Sequence, residues 1–223
     1  MRPSQLLRTK LRLVSARLGE LTSSLWLHPN LRACIPEVLL VLHDVARASV
    51  PLMEAALAEA RARAGDAAAA GLAAYLEHHI PEERGHDLWL LDDLEILGVE
   101  RSAVASRVAR PTVARMIGAQ HYWVRHNHPV ALLGYMAVIE GNPPTVGGLE
   151  AVIERTGLPR EAFRTWLHHA RLDPGHMAEL DATIDSLDLD AARASLLSVS
   201  ALHTVGALET IFEELLDLAR RPA

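Results

Sequence analysis

One cysteine, Cys34, stands in 223 residues, which excludes an internal disulfide and a thiolate metal cluster. A reducing cytoplasm is the compartment such a chain suits. No nucleophile motif surrounds Cys34, so it reads as a small buried hydrophobe. No uncharged run approaches the roughly 18 residues a membrane span needs. An apolar signal core is missing and Glu20 falls early, both against export. Positive charge is not in excess: 22 basic against 28 acidic residues leave a net charge of -6, so the chain is no electrostatic binder of nucleic acid. The basic start (Arg2, Arg8, Lys10, Arg12, Arg17) reads as a solvated helix face. Alternation of β-branched residues is nearly absent, and with it any case for a sheet. Aromatics are few, at 4%, and no arginine clamp is evident, so the sequence does not reveal a substrate.

What is present is helix. Alanine, leucine, glutamate and arginine dominate, and apolar residues recur at three- and four-residue spacing. The pattern predicts helices at roughly 3–28, 36–64, 67–98, 111–127, 129–141, 145–156, 159–186 and 189–219. Breaks are signalled at His28-Pro29-Asn30, Ala64-Gly65-Asp66, Gly98, Arg110-Pro111, Gly141-Asn142-Pro143-Pro144 and Gly157-Leu158-Pro159. Asp66 and Ser186 or Asp188 are the expected caps. Pro129 should bend or break the chain between His128 and Val130. Pro174 is expected either to disturb its helix or to open a new one capped by Asp173. With no linker, repeat or composition shift, one all-α domain over 1–223 is the economical reading.

Histidine is the compositional oddity. Nine of the twelve fall between His78 and His176, and imidazole is the commonest metal ligand. Glu83 and His86 form a Glu-x-x-His pair, and residues three apart on a helix share a face. His79, Glu83 and His86 (i, i+4, i+7) would form one stripe beside Leu76, Ile80 and Leu90, with Glu82 able to replace Glu83. His79 is either a direct ligand or a support. Glu140 ends an apolar run in which an unpaired carboxylate would be costly. His169, Asp173 and His176 repeat the stripe geometry. Paired carboxylate–histidine motifs on facing helices, with a glutamate from each of two others, make the two-metal sites of helical bundles. Glu54, with Asp44 next, is the candidate for the remaining carboxylate. His78, Glu179 and Asp181 read as surface residues and His168 as pointing away. Tyr122, His126 and His128 are candidates for a pocket wall, and equally for plain core and surface positions.

The chain resembles the heme-oxygenase-like iron-containing redox enzymes, also called heme-oxygenase-like diiron oxidases. The likeness rests on His79-x-x-Glu82-Glu83-x-Gly85-His86-Asp87-x-Trp89 running to Leu97-Gly98. It continues through His128-Pro129, Gly134-Tyr135, Ile139-Glu140-Gly141 and His169-x-x-x-Asp173-x-x-His176, and covers roughly residues 36–215. It implies a compact bundle of about seven to eight helices, two non-haem irons and dioxygen as cosubstrate. The substrate would be a small carboxylic acid, amino acid or amine. Glu83 and His86 would be ligands, Glu140 a bridging carboxylate, and His169, Asp173 and His176 would complete the set. Glu83-x-x-His86 is more closely spaced than in many members, which leaves the partition between two irons open.

The alternatives are a non-catalytic metal- or cofactor-binding protein of the same fold, and a thiaminase-like hydrolase, which would need a cysteine nucleophile that Cys34 is poorly placed to be. The expected partners are a small-molecule substrate and dioxygen, with neither nucleic acid nor membrane. A homodimer is an option that no heptad seam compels.

Overall fold

The predicted helical periodicity is realised, and the helices are shorter and more numerous than the pattern implied. In the computed structural model, which describes residues 1–141 and 143–221, there are eleven α-helices: α1 Pro3–Val14, α2 Ala16–Trp26, α3 Leu31–Arg61, α4 Ala67–Glu83, α5 His86–Ile96, α6 Arg101–Ser106, α7 Pro111–His126, α8 Ala131–Ile139, α9 Val146–Thr156, α10 Arg164–Ser186 and α11 Ala191–Ala219. A short 3-10 turn, Arg160–Phe163, leads into α10. Asn142, in the expected break at 141–144, lies outside the described residues.

Two expected helices are each two. The segment 3–28 divides at Ser15, whose hydroxyl donates back to the Leu11 carbonyl, 2.8 Å away, offering the backbone a local alternative to the next helical turn. The segment 67–98 divides at Arg84-Gly85. Arg84 is extended (φ -68°, ψ 122°) and Gly85 is left-handed (φ +94°), a conformation that favours glycine. The short α6 was not anticipated.

Other ends follow the expected chemistry. Asp66 caps α4 by accepting from the Ala69 amide at 3.0 Å. The cap of α11 is Asp190, accepting from Arg193 N–H at 2.8 Å, rather than Ser186 or Asp188. The chain breaks around Pro129, between α7 and α8. Pro174 neither ends α10 nor starts a helix: α10 runs through it, as α3 runs through Pro36 and Pro51.

Helix α8 is the most buried element. Every residue from Ala131 to Val138 is inside, which fits a helix that is apolar all round. It packs on α11 so closely that a Cβ on Gly134 would overlap the Leu197 carbonyl. By length and apolarity alone, α11 would suffice to cross a membrane, yet it packs against α1, α2, α3, α7 and α8, with Leu197, Ala201, Val205, Ile211 and Leu215 buried. Cys34 is buried in the same core, as expected.

Arg8 departs from the expected solvated face. It reaches in from α1 and donates to the Ala137 carbonyl at the end of α8 (2.9 Å). It also pairs with Asp181 of α10 (2.9 Å). A cation at a helix C-terminus offsets the carbonyl end of the helix dipole.

Candidate metal centre

Four helical segments bring their histidines and carboxylates to one place: the end of α4 (His79, Glu83), the start of α5 (His86), the end of α8 (Glu140) and the middle of α10 (His169, Asp173, His176). The break at Gly85 means that His79, Glu83 and His86 are not a stripe on one continuous helix. They converge nonetheless, because the turn folds His86 back until Nδ1 lies 3.0 Å from Glu83 Oε2.

Glu83 stands at the middle. Its Oε1 faces His79 Nε2 at 4.0 Å and His176 Nδ1 at 3.7 Å, while Oε2 faces His86. Two groups of three follow, each with one ligand atom per residue and all within 4.8 Å of one another: His79, Glu83 and His176, and Glu83, His86 and His169. Glu140 Oε1 adds to the first at 3.5 Å from His79 Nε2. Asp173 adds to the second, with Oδ1 accepting from His169 Nδ1 at 3.0 Å. That contact fixes the imidazole tautomer and leaves Nε2 available, a common support for metal-binding histidine. In this arrangement Glu83, rather than Glu140, is the carboxylate shared by both groups.

The polar atoms here are unusually poorly satisfied. Among the described residues, both nitrogens of His79, which is 0% exposed, lack a hydrogen-bond partner, as do Glu83 Oε1, Glu140 Oε2 and His176 Nδ1. Each buried polar group left unsatisfied costs on the order of 1–3 kcal/mol. A cation at the centre would satisfy all of them but His79 Nδ1, which faces Glu82 instead, and the mixed imidazole–carboxylate donors suit iron.

The charge balance is consistent with such a site. Burial opposes charge on His79, yet Glu140, Glu83 and Glu82 outweigh it and raise its pKa. Burial likewise opposes charge on His169, but Asp173, Glu83 and Glu140 raise it. Burial works to raise the Glu83 carboxyl, and His86, His169 and His79 hold it below the usual range.

Beside the centre lies a cavity of about 160 Å³. Val45, Ala46 and Met53 of α3, Leu90 of α5, Met136 of α8 and Trp166 of α10 give it an apolar wall; Glu83, His86, Glu140, His169 and Asp173 form its metal-facing side. Ser49, Tyr135 and Thr165 add hydroxyls. Among the described residues, neither arginine, lysine nor cysteine lines it.

Some expected residues lie elsewhere. Glu54 is on the outer face of α3, its side chain 50% exposed and 2.9 Å from Arg84 Nη2. A helical pattern alone cannot tell which face is turned inward once the next element supplies an arginine. Asp44 is buried against Arg107 (3.0 Å). Tyr122 and His126 lie against each other at the surface with tilted rings, and His128 pairs with Asp66 at 3.2 Å, so none of the three lines this cavity. His78 is exposed as expected. His168, expected to point away, lies against Trp89, ring centroids 4.9 Å apart.

Sequence reasoning passed over Tyr75, one helical turn before His79. Its ring stacks on that imidazole at 5.2 Å, and its buried hydroxyl has no partner. Burial pushes its pKa up, and nearby carboxylates add to the rise. The i, i+4 spacing to His79 was the available signal.

The fold is heme-oxygenase-like. A domain of unknown function with that fold from Shewanella denitrificans superposes with a TM-score of 0.75 at 16% identity, over 97% of this chain and 89% of that one. A TenA homologue from Pseudomonas syringae pv. tomato gives 0.71 at 15% identity, over 96% and 92%. A CADD-like protein of unknown function from Nostoc punctiforme gives 0.68 at 17% identity, over 97% and 94%. No curated protein matches in sequence. The family described as iron-containing redox enzymes matches residues 49–209, and the chain belongs to it.

Proposed function

We propose that the protein is a non-haem iron oxidase that uses dioxygen to oxidise a small organic molecule, with the whole chain 1–223 acting as one domain. The observation that carries this reading is the convergence of unpartnered, buried imidazole and carboxylate atoms on a single centre. Glu83 would serve two irons. His79, His176 and Glu140 would complete the donors of one, and His86 and His169 those of the other, with Asp173 behind His169 as its support or as a further donor. Bound iron would supply dioxygen binding and electron transfer.

The chain's own residues contribute placement and exclusion. Asp173 holds the tautomer of His169, and Tyr75 buttresses His79. The apolar wall keeps water from the face where substrate would lie. The cavity is well below the 300–1,000 Å³ of sites for drug-sized ligands, which favours a substrate of a few heavy atoms and leaves no room for haem. Its lack of a cysteine leaves a thiol-dependent hydrolase without its nucleophile. A carboxylic acid, amino acid or amine fits equally, since no lining cation selects among them. A reducing cytoplasm, which a single buried cysteine suits, would be the working compartment.

Anaerobic reconstitution with ferrous iron tests the reading. We expect two irons per chain after desalting, dioxygen uptake on exposure to air, and loss of iron from a Glu140→Ala variant. A protein that retains no iron after desalting overturns it. Iron retained with no uptake of dioxygen in the presence of reductant makes the protein a metal binder and not an oxidase.

A further inference from the structure

Glu82 divides its two carboxylate oxygens between the interior and the surface. Oε2 turns inward, 3.7 Å from Nδ1 of His79 and 3.6 Å from Nε2 of His176. Oε1 turns outward, 3.5 Å from Nε2 of His78. Glu179 of α10 closes the outer side, with Oε1 3.9 Å from the same His78 nitrogen. One ligand atom from each of His78, Glu82 and Glu179 lies within 4.8 Å of the others. All three are open to solvent, with side chains 64%, 40% and 40% exposed.

Exposed acidic residues beside a histidine would mean little alone. Here the wall behind them is made of His79, fully buried, whose Nδ1 faces Glu82 and has no hydrogen-bond partner. An ion held on the outside would meet, across the Glu82 carboxylate, the outer nitrogens of His79 and His176; the other nitrogens of the same two rings face Glu83 in the inner centre.

We propose that His78, Glu82 and Glu179 form an outer site for a divalent transition-metal ion, from which the ion passes inward past Glu82 and the His79 and His176 rings to the buried centre. The proposal rests on the reading of the inner cluster as a metal centre. One imidazole and two carboxylates on an exposed face make a weaker and less selective site than the inner donors, which is what an entry point requires. Two carboxylates at the mouth also concentrate cations, and fields of this kind raise on-rates by about 10- to 1,000-fold.

The probe is Mn(II), counted by loss of the free-ion paramagnetic resonance signal as the full chain is titrated. Its uptake by the centre is followed by tryptophan fluorescence, to which Trp89, whose ring lies 4.4 Å from that of His86, and Trp166 in the cavity wall contribute. Against the unaltered protein stand a surface pair, H78A/E179Q, and a centre pair, E83Q/E140Q. The surface pair should lose one weak Mn(II) per chain, and its fluorescence change should slow by about tenfold with the final amplitude unchanged. The centre pair should keep the weak ion. Titration and rate curves of the surface pair that superpose on those of the unaltered protein overturn the proposal. A centre pair that binds as many ions as the unaltered protein overturns the reading of the centre instead. Because His78 and Glu179 are exposed, the surface pair should fold normally, and helical circular dichroism checks that it does.

Discussion

Replacing Glu140 with methionine should make the metal-free protein more stable and the metal-loaded protein less so. Glu140 ends α8 with its side chain 14% exposed, and Oε2 has no partner. Its negative charge also sits at the helix end where the dipole disfavours it. Removing an unsatisfied buried acceptor while keeping the volume recovers about 1–3 kcal/mol. For a chain of this size 1 kcal/mol moves the melting temperature by roughly 2–4 °C, so a gain of about 2 kcal/mol is a rise of about 4–8 °C. With metal the order should reverse. A ligand at a thousand times its dissociation constant stabilises the native state by about 4.1 kcal/mol, and a Glu140→Met protein that forfeits most of that falls below the unaltered one despite its gain of about 2 kcal/mol. Calorimetric melts of both proteins, in chelator and in Mn(II), read the crossing directly. His79 sets the pH. Its pKa is raised despite burial because Glu140, Glu83 and Glu82 attract the charged form. Its partnership with Glu140 therefore stabilises the unaltered fold at low pH and is lost as pH rises through the raised value. The advantage of the variant should be larger at pH 8.5 than at pH 6. A metal-free Glu140→Met that melts at or below the unaltered protein refutes the reasoning, because Glu140 would then be satisfied by the protein itself.

Gly85→Ala places a side chain at φ +94° with nothing within 4 Å of its Cβ. The cost is therefore backbone strain, about 1–2 kcal/mol, and the altered turn should weaken metal binding through His86. Unchanged Mn(II) affinity would remove the turn from that role. Asp66→Ala should cost about 1 kcal/mol through the lost cap. Burial works to raise the Asp66 carboxyl, but the Ala69 amide, His128 and Arg193 hold it low. The penalty should be full above about pH 4 and shrink as pH falls through the depressed value. Urea midpoints at pH 7 and pH 3 that differ equally from those of the unaltered protein would contradict this. Glu54→Ala should stay within about 0.5 kcal/mol of the unaltered protein and leave metal content unchanged; lost iron would return Glu54 to the ligand set.

The candidate ligands were readable because their relations are local. Glu83 to His86, His169 to Asp173 and Asp173 to His176 are three- and four-residue spacings, and each pair stays close in space. Glu140 was readable by anomaly, a charge closing an apolar run. What escaped depends on the third dimension. Gly85 was hidden because one glycine inside a helical pattern does not by itself announce a break. Pro174 was read as a disturbance, yet α10 continues through it. Glu54 and Glu83 have similar helical surroundings, and only the fold turns one outward to Arg84 and the other inward. The two-sided position of Glu82 depends on Glu179, nearly a hundred residues away, which no spacing rule connects to it.

Arg8 changes what counts as part of the centre. It lies well before residue 49, where the family match begins, yet it clasps the α8 carbonyl three residues before Glu140 and an aspartate five residues after His176. The two ligand-bearing helices are thus pinned to a common strut from outside, and the length of one arginine side chain sets how far they can part. A chain trimmed to the matched segment would keep every candidate ligand and lose the brace that fixes their spacing. The first helix is best regarded as the outer frame of the site.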